Sequence, residues 1–206
     1  MKKIYVVVTG DIVESRKIEQ RDKFQQKLRK VLDEINQKFK KVIVVKFCFT
    51  LGDEFQGLIN SLGESYTIVK KLQEMLYPVK ICFGVGLGDI STKISKQTSG
   101  MDGECFLRSR AALEEAKRIN QSVVYNTQTN IDLAVNTIIK LLDAIKKDWK
   151  SHHYKRVQLY EQLGTLEKVA KAEKVSKQTV SKMFIYIKFN EVKQAEENIK
   201  KLLSTI

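Results

Sequence analysis

The first 130 residues switch repeatedly between two hydrophobic periods, and that alternation constrains the fold more than any other feature. Residues 4–9 form a β-branched run that ends at Gly10-Asp11. Residues 18–39 follow the helical period, with Phe24, Leu28, Val31, Leu32 and Ile35 on one face. Strand patterns over 42–51 and 54–60 flank a tight turn at Gly52-Asp53, which reads as a β-hairpin. A helix over 64–76 ends near Pro78, a strand follows over 79–87, and 88–103 is polar and loop-like. A helix over 104–119 and a short strand over 122–125 complete the series. The order is β-α-β-β-α-β-loop-α-β. Its first six elements predict a ferredoxin-like α+β domain, an antiparallel sheet with two helices on one face. Polymerase palms and nucleotidyl cyclases use that arrangement, as do many small binding domains, so fold alone assigns no function.

After Asn126 the pattern becomes all-helical, with helices expected over 131–149, 154–163, 166–172, 176–188 and 191–203. This divides the chain into a palm-like domain, 1–127, and an all-α domain, 128–206. No Gly/Ser-rich or Pro-rich linker separates them. Apolar stripes on the long helices (Ile131, Val135, Ile138, Leu142, Ile145, Trp149; Ile199, Leu202, Leu203) predict core packing or a homodimer seam.

Composition excludes several classes. The chain has 206 residues, 43 % apolar and 30 % charged, with one proline, which rules out a disordered or collagen-like chain. No apolar run reaches the length of a membrane helix, and the run at 4–8 is too short for a signal peptide. Cys48, Cys82 and Cys105 are odd in number and widely spaced, against zinc ligation or a disulfide framework. Their apolar neighbours predict buried, unreactive thiols, and a cytoplasmic location is expected. The net charge of +13 is consistent with a nucleic-acid partner. Yet 30 of the 37 basic residues are lysine, a skew that genome composition produces equally well.

Two aspartates stand where chemistry is expected. Asp11 follows the first strand and Asp53 sits at the hairpin tip. In a ferredoxin-like sheet these strands are central neighbours, so the two carboxylates approach each other at one edge. Carboxylates held that close repel unless a cation lies between them. Mg²⁺ suits such a place, because it takes one or two carboxylates and completes its shell with waters and phosphate oxygens. Asp after Gly is equally an ordinary turn residue. His152 and His153 are adjacent and so diverge on a helix, which predicts a solvated surface rather than a metal site. Gly84, Gly86 and Gly88 lack the spacing of a dinucleotide loop and predict close packing against the strand.

The blocks Val8-Thr9-Gly10-Asp11-Ile12, Thr50-Leu51-Gly52-Asp53-Glu54-Phe55 and Phe83-Gly84-Val85-Gly86-Leu87-Gly88 resemble class III nucleotidyl cyclases and GGDEF diguanylate cyclases. The fuller pattern, Gly-Asp-Ile-Val-Glu-Ser-Arg with Leu-Gly-Asp-Glu-Phe-Gln-Gly, most resembles the bacterial SatD family, over nearly the whole chain. The cyclase resemblance implies Asp11, the Ile12 carbonyl and Asp53 as ligands of Mg²⁺ or Mn²⁺ carrying a nucleoside triphosphate. It implies that Val13, Glu14, Ser15 and Arg16 cradle phosphates at the start of the following helix, and that Arg110 is a transition-state arginine. The chain departs from the pattern at Phe106, where cyclases carry Asn, and at Phe49, where class III enzymes carry a base-reading Lys; Lys46 is the nearest lysine. Leu51 replaces the first Gly of GGDEF.

Residues 166–183 resemble a helix-turn-helix. Ala170 lets two helices approach, Val169, Val175, Val180 and Met183 form their core, and Ser176 caps the second helix. Lys177, Gln178, Thr179, Ser181 and Lys182 then face outward with groups for base edges and phosphates. Val-Ser-Lys-Gln-Thr-Val-Ser-Lys is similar to the recognition-helix start of LacI-type repressors. Lys174 stands at the usual turn glycine and Glu173 at a usually apolar position. The expectation is a DNA-binding regulator, a homodimer, whose palm-like domain binds a metal–nucleotide complex. The alternatives are a nucleotidyl cyclase or transferase with the helices as a dimerisation module, and a non-catalytic interaction protein with a degenerate palm.

Overall fold

The computed structural model describes residues 3–50 and 52–206. Two compact units are present: residues 1–140 with 199–206, and residues 141–198. Among the described residues, no helix is long and apolar enough to cross a membrane.

The first unit contains β1 (Tyr5–Ile12), α1 (Arg21–Lys38), β2 (Ile43–Phe49), β3 (Glu54–Ile59), α2 (Leu62–Leu76), β4 (Ile81–Gly88), α3 (Glu104–Ile119) and β5 (Val123–Asn126). The sheet order is β2-β3-β1-β4-β5, antiparallel throughout except for the parallel β4–β5 pair. Its first four strands have the ferredoxin-like order expected from the sequence, and the fold is α+β.

Strands β1 and β4 are buried along almost their whole length, so both faces of the sheet are covered. The face bearing Phe83, Val85 and Tyr125 lies under the α1 and α2 side, where the Ser65 hydroxyl of α2 meets the Tyr125 hydroxyl at 3.0 Å. The other face carries α3. Gly84, Gly86 and Gly88 form the seat for that helix: a Cβ at Gly84 would overlap the backbone of Ser109 and Leu113, and one at Gly86 the backbone of Cys105 and Ser109. The close packing expected of these glycines is therefore with a helix of the same chain.

A buried polar chain fixes the register of α3 on the sheet. Ser109 Oγ donates to the Gly84 carbonyl at 2.9 Å, so its contact with Thr9 Oγ1 at 2.7 Å requires Thr9 to donate. Thr9 in turn accepts from Gln56 Nε2 at 2.8 Å. One residue on each edge strand is paired by an asparagine. Asn36 pairs with the backbone N–H and C=O of Phe47 on β2, and Asn136 does the same for Tyr125 on β5. These contacts occupy edge groups that otherwise invite another strand.

In the chain's second half α4 spans Ile131–Lys146, α5 Ser151–Leu163, α6 Leu166–Glu173, α7 Lys177–Tyr186 and α8 Phe189–Leu203. The unit boundaries fall inside α4 and α8. The core of the second unit includes Val157, Val169, Ala170, Val180 and Met183, with an aromatic trio of Tyr160, Phe184 and Phe189 at centroid distances of 4.6 to 5.4 Å. His153 differs from the solvated surface expected of it. It is buried, and its Nδ1 accepts the Lys150 N–H at 3.0 Å, capping α5. Burial, then the charges of His152, Lys150 and Arg156, push its pKa down.

The seating of α3 yields a direct test. Gly86→Ala forces a methyl into helix backbone that has no room to yield, and an overpacking cost of about 3 kcal/mol is expected in denaturant unfolding. An unchanged midpoint would show that α3 sits farther from β4 than described.

Candidate functional site

The β1–β3 register places Asp11 directly opposite Glu54, next to Asp53 in the hairpin turn. Gly52 makes that turn with a φ of +59°, a conformation that favours glycine, and the Thr50 N–H closes it on the Glu54 carbonyl at 3.0 Å. Leu51 lies outside the described residues. Three carboxylates are thus gathered at one end of the central strands, each partly exposed.

Helix α3 brings cations to the same end. Arg110, Glu114 and Lys117 recur at helical spacing along one side of it. Lys117 Nζ lies 2.9 Å from Asp11 Oδ2, 3.9 Å from Glu54 Oε1 and 3.5 Å from Glu114 Oε1. Arg110 Nη2 donates to Glu54 Oε2 at 3.2 Å. From α1, Arg21 Nη2 reaches both oxygens of Asp53 at 2.9 Å. Burial lowers the proton affinity of Lys117, but the hydrogen bond and charge of Asp11, with Glu114 and Glu54, more than offset it, so its pKa stands above the usual lysine value.

The structure therefore brings Asp11 and Arg110 into one charge network with Glu54. Sequence reasoning missed Glu54, Lys117 and Arg21 as members. Glu54 was visible in the Gly-Asp-Glu-Phe block, and its place opposite Asp11 follows from hairpin register. Lys117 and Arg21 had no signal beyond their number.

The segment after β1 departs from expectation. The sequence predicts that Val13, Glu14, Ser15 and Arg16 lead straight into a helix from residue 18. Instead a separate 3₁₀ turn spans Ser15–Lys17, Ile18 is extended, and α1 starts at Arg21. Glu14 adopts a left-handed φ of 54°, and its carboxylate meets Lys17 Nζ at 2.8 Å. Ile12 is buried. Phe106 is packed in the apolar cluster with Val7 and Leu58. Phe49 lies under the Arg29 guanidinium at 5.2 Å, and Lys46 is exposed.

The fit of a divalent metal turns on the donor set. Among the described residues no group of three or more His, Cys, Asp and Glu is arranged as a ligand cage. What is present is a pair of cross-strand carboxylates, Asp11 and Glu54, sharing the Lys117 ammonium, with Asp53 in the adjoining turn, and the carboxylates are hard oxygen donors. That fits a cation such as Mg²⁺, which needs only one or two carboxylates when phosphate and water supply the rest.

In the second unit, α6 and α7 meet at a turn where Lys174 is left-handed, with φ 54°. Lysine takes the conformation usually given to glycine there, at a cost of about 1 kcal/mol. Glu173 is held by Lys155 at 2.7 Å and Arg156 at 3.5 Å, which accounts for an acid at a usually apolar position. Ser176 caps α7 by accepting the Thr179 N–H at 3.1 Å. Lys177, Gln178, Thr179 and Lys182 are exposed, Ser181 is half-buried, and Lys177 pairs with Glu167.

The Asp53 carboxyl is held below the usual carboxylate value by a hydrogen bond from the Ser15 side chain, opposed by burial and reinforced by Arg21. A lowered folded-state value means that the folded chain binds this proton less tightly than the unfolded one. The pairing then stabilises the fold above the ordinary carboxylate range, and the stabilisation is lost as pH falls through the lowered value. Ser15→Ala should raise the Asp53 value, as read by ¹³C carboxylate titration. An unmoved titration would remove Ser15 from the site.

Comparison with solved structures gives partial matches. The guanylate cyclase domain of RhGC from Catenaria anguillulae, in complex with GTP, is 14 % identical at TM-score 0.45, over 55 % of this chain and 73 % of that one. The diguanylate cyclase SiaD from Pseudomonas aeruginosa, in complex with its activator SiaC, is 15 % identical at TM-score 0.47, over 60 % of this chain and 50 % of that one. The active GGEEF domain of a Vibrio cholerae diguanylate cyclase is 19 % identical at TM-score 0.37, over 61 % of this chain and 85 % of that one. No curated protein matches. The family model for the SatD family matches residues 5–196, and with nearly the whole chain covered this protein belongs to the SatD family.

Proposed function

We propose that the first unit binds a nucleoside triphosphate together with Mg²⁺ or Mn²⁺ at the end of β1 and β3. The observation that carries this reading is the gathering of Asp11, Asp53 and Glu54 beneath Arg21, Arg110 and Lys117. Carboxylates alone suit a cation and basic groups alone suit an anion. Interleaved at one strand end, they match a ligand that carries both.

The bound metal would supply charge neutralisation of the phosphate oxygens. Asp11 and Asp53 hold the cationic part, with the Ile12 carbonyl as the third donor that the cyclase resemblance implies. Arg110 and Lys117 face the phosphates from α3. Glu14, Ser15 and Arg16 follow in a turn whose first N–H groups have no intrahelical partner, while Val13, the other residue the resemblance implies, already donates its N–H to the Lys80 carbonyl at 3.0 Å. The site accounts for binding with or without turnover. Phe49 stands where class III cyclases carry their base-reading Lys and Phe106 where cyclases carry Asn four residues before Arg110, and these two departures favour a binding role.

A second reading concerns α6 and α7, supported by the Ser176 cap and the exposed Lys177, Gln178, Thr179 and Lys182. These residues, with Ser181, are suited to contact DNA. The whole protein then acts as a DNA-binding regulator, working as a homodimer, whose ligand is the nucleotide. The alternative is a nucleotidyl cyclase or transferase using the same carboxylates.

Thermal unfolding with ATP, GTP, CTP and UTP, each with Mg²⁺ or Mn²⁺, tests the first reading. One nucleotide is expected to stabilise the protein by about 2.7 kcal/mol at a hundred times its Kd. Asp11→Asn with Asp53→Asn should abolish the effect, and mass spectrometry of the same mixtures reports any product. A double variant that still responds would refute the site.

DNA binding is read separately as a salt-dependent affinity. Lys182→Ala should weaken it and reduce the salt slope by about one. The loss in Lys177→Ala should be smaller, because Glu167 already holds that ammonium. Unchanged affinity in both would dismiss α7 as the reading element.

A further inference from the structure

The carboxylates of the site are already neutralised by basic groups of the same chain, and the arrangement is layered. The side chains of Asp11, Asp53 and Glu54 are 22 %, 15 % and 15 % exposed. Those of Lys117, Arg21 and Arg110 are 34 %, 52 % and 64 % exposed. Acids form the floor and cations form the rim. The Lys117 ammonium, near both Asp11 and Glu54, stands where a cation shared by these two carboxylates would be held.

Three cases of ligand entry follow from this layering. A bare divalent cation reaching the floor meets carboxylates, but it must lie against the Lys117 ammonium and the Arg110 guanidinium, which repel it. A phosphate alone can take the rim cations, but it strips three half-buried carboxylates of their partners and faces their charge. A metal and a phosphate arriving together exchange partners instead. The carboxylates pass to the metal, Lys117, Arg110 and Arg21 pass to phosphate oxygens, and each charged group keeps a partner of opposite sign.

Resting on the nucleotide-binding reading above, we infer that Lys117 and Arg110 are built-in counter-cations that make the site accept a divalent metal and a phosphate chain only as a pair. Lys117 sets most of this coupling, because its ammonium lies 2.9 Å from Asp11 and 3.9 Å from Glu54, between two of the floor carboxylates. Such coupling is reciprocal: whatever the phosphate does for metal affinity, the metal does for phosphate affinity. The protein thereby ignores free cellular Mg²⁺ and free polyphosphate alike.

Isothermal titration of the full chain tests this with probes that carry no base: Mn²⁺ alone, inorganic tripolyphosphate in EDTA, and preformed Mn²⁺–tripolyphosphate. The wild-type chain should bind the complex at least tenfold more tightly than either component. Lys117→Gln, which keeps much of the side-chain stem, should bind Mn²⁺ alone at least fivefold more tightly than wild type and lose affinity for tripolyphosphate. Arg110→Gln, at an exposed rim position, should change both affinities in the same directions by less, and it carries the test if Lys117→Gln fails to fold.

Wild-type protein that binds Mn²⁺ alone as tightly as the complex would overturn the inference. So would tripolyphosphate binding that ignores EDTA, or a Lys117→Gln chain with unaltered Mn²⁺ affinity. Each of these leaves an ion-binding site in place and so spares the reading beneath it. Absence of heat with all three probes would overturn both.

Discussion

Helix α3 lies directly on strand β4, and the rest of the site depends on that contact. The strand presents three glycines toward the helix, so helix backbone rests where side chains would otherwise stand. At that distance Ser109 reaches both the Gly84 carbonyl and Thr9, which sets the helix in register with β1 as well as β4. One and two turns farther along, Leu113 and Ala116 pack on the same face of the sheet. The side of α3 that carries Arg110, Glu114 and Lys117 then overhangs the ends of β1 and β3. A larger residue at Gly84 or Gly86 would lift the helix and separate the cations from the carboxylates. The glycines, which carry no functional group, thus control the electrostatics of the site.

This division explains what was legible in the sequence. Element types followed hydrophobic period, and the ferredoxin-like order of the first four strands emerged from them. The pairing of Asp11 with the hairpin turn was visible because Gly-Asp ended one strand and bridged the next two. The cationic half was not visible. Lys117 and Arg21 are two of 37 basic residues, and nothing in their neighbourhood marks them. Their roles come from long-range packing: α3 crossing the sheet, and α1 beginning three residues later than the period alone implied. That delay has a local cause, since Glu14 turns left-handed and closes a separate 3₁₀ turn with Lys17. His153 failed for a related reason. Sequence reading weighed its ligand geometry with His152, whereas the fold uses its ring nitrogen to accept the Lys150 N–H, a contact at i, i+3.

The pairing of half-buried acids with distant bases recurs in the second unit. Glu173 meets Lys155 and Arg156 of α5, and Lys146 meets Glu196 at 2.5 Å. Exposed ion pairs such as Arg118–Glu115 contribute about 0–1 kcal/mol and are common on any helix surface. The half-buried pairs differ, because removing one partner strands a charge that has lost part of its water. They act as fixed points that decide where a basic residue must be, and they withdraw particular lysines and arginines from the pool able to meet an outside anion.

That accounting bears on the net charge of +13. Charge excess raises affinity for any polyanion without choosing a surface, so it cannot by itself locate a nucleic-acid interface. A surface is chosen by cations that are exposed, uncommitted to internal acids and accompanied by hydrogen-bonding side chains. Lys177 already has Glu167, while Lys182 stands exposed on the same helix as Gln178 and Thr179. Even there the face is mixed, since Ile185 and Tyr186, one turn on, are 70 % and 68 % exposed. A groove-reading helix can use such groups against thymine methyls and the sugar–phosphate edge. The exposed side of α7 therefore runs from polar residues at its start to apolar ones at its end, and positive charge is only one part of what it presents.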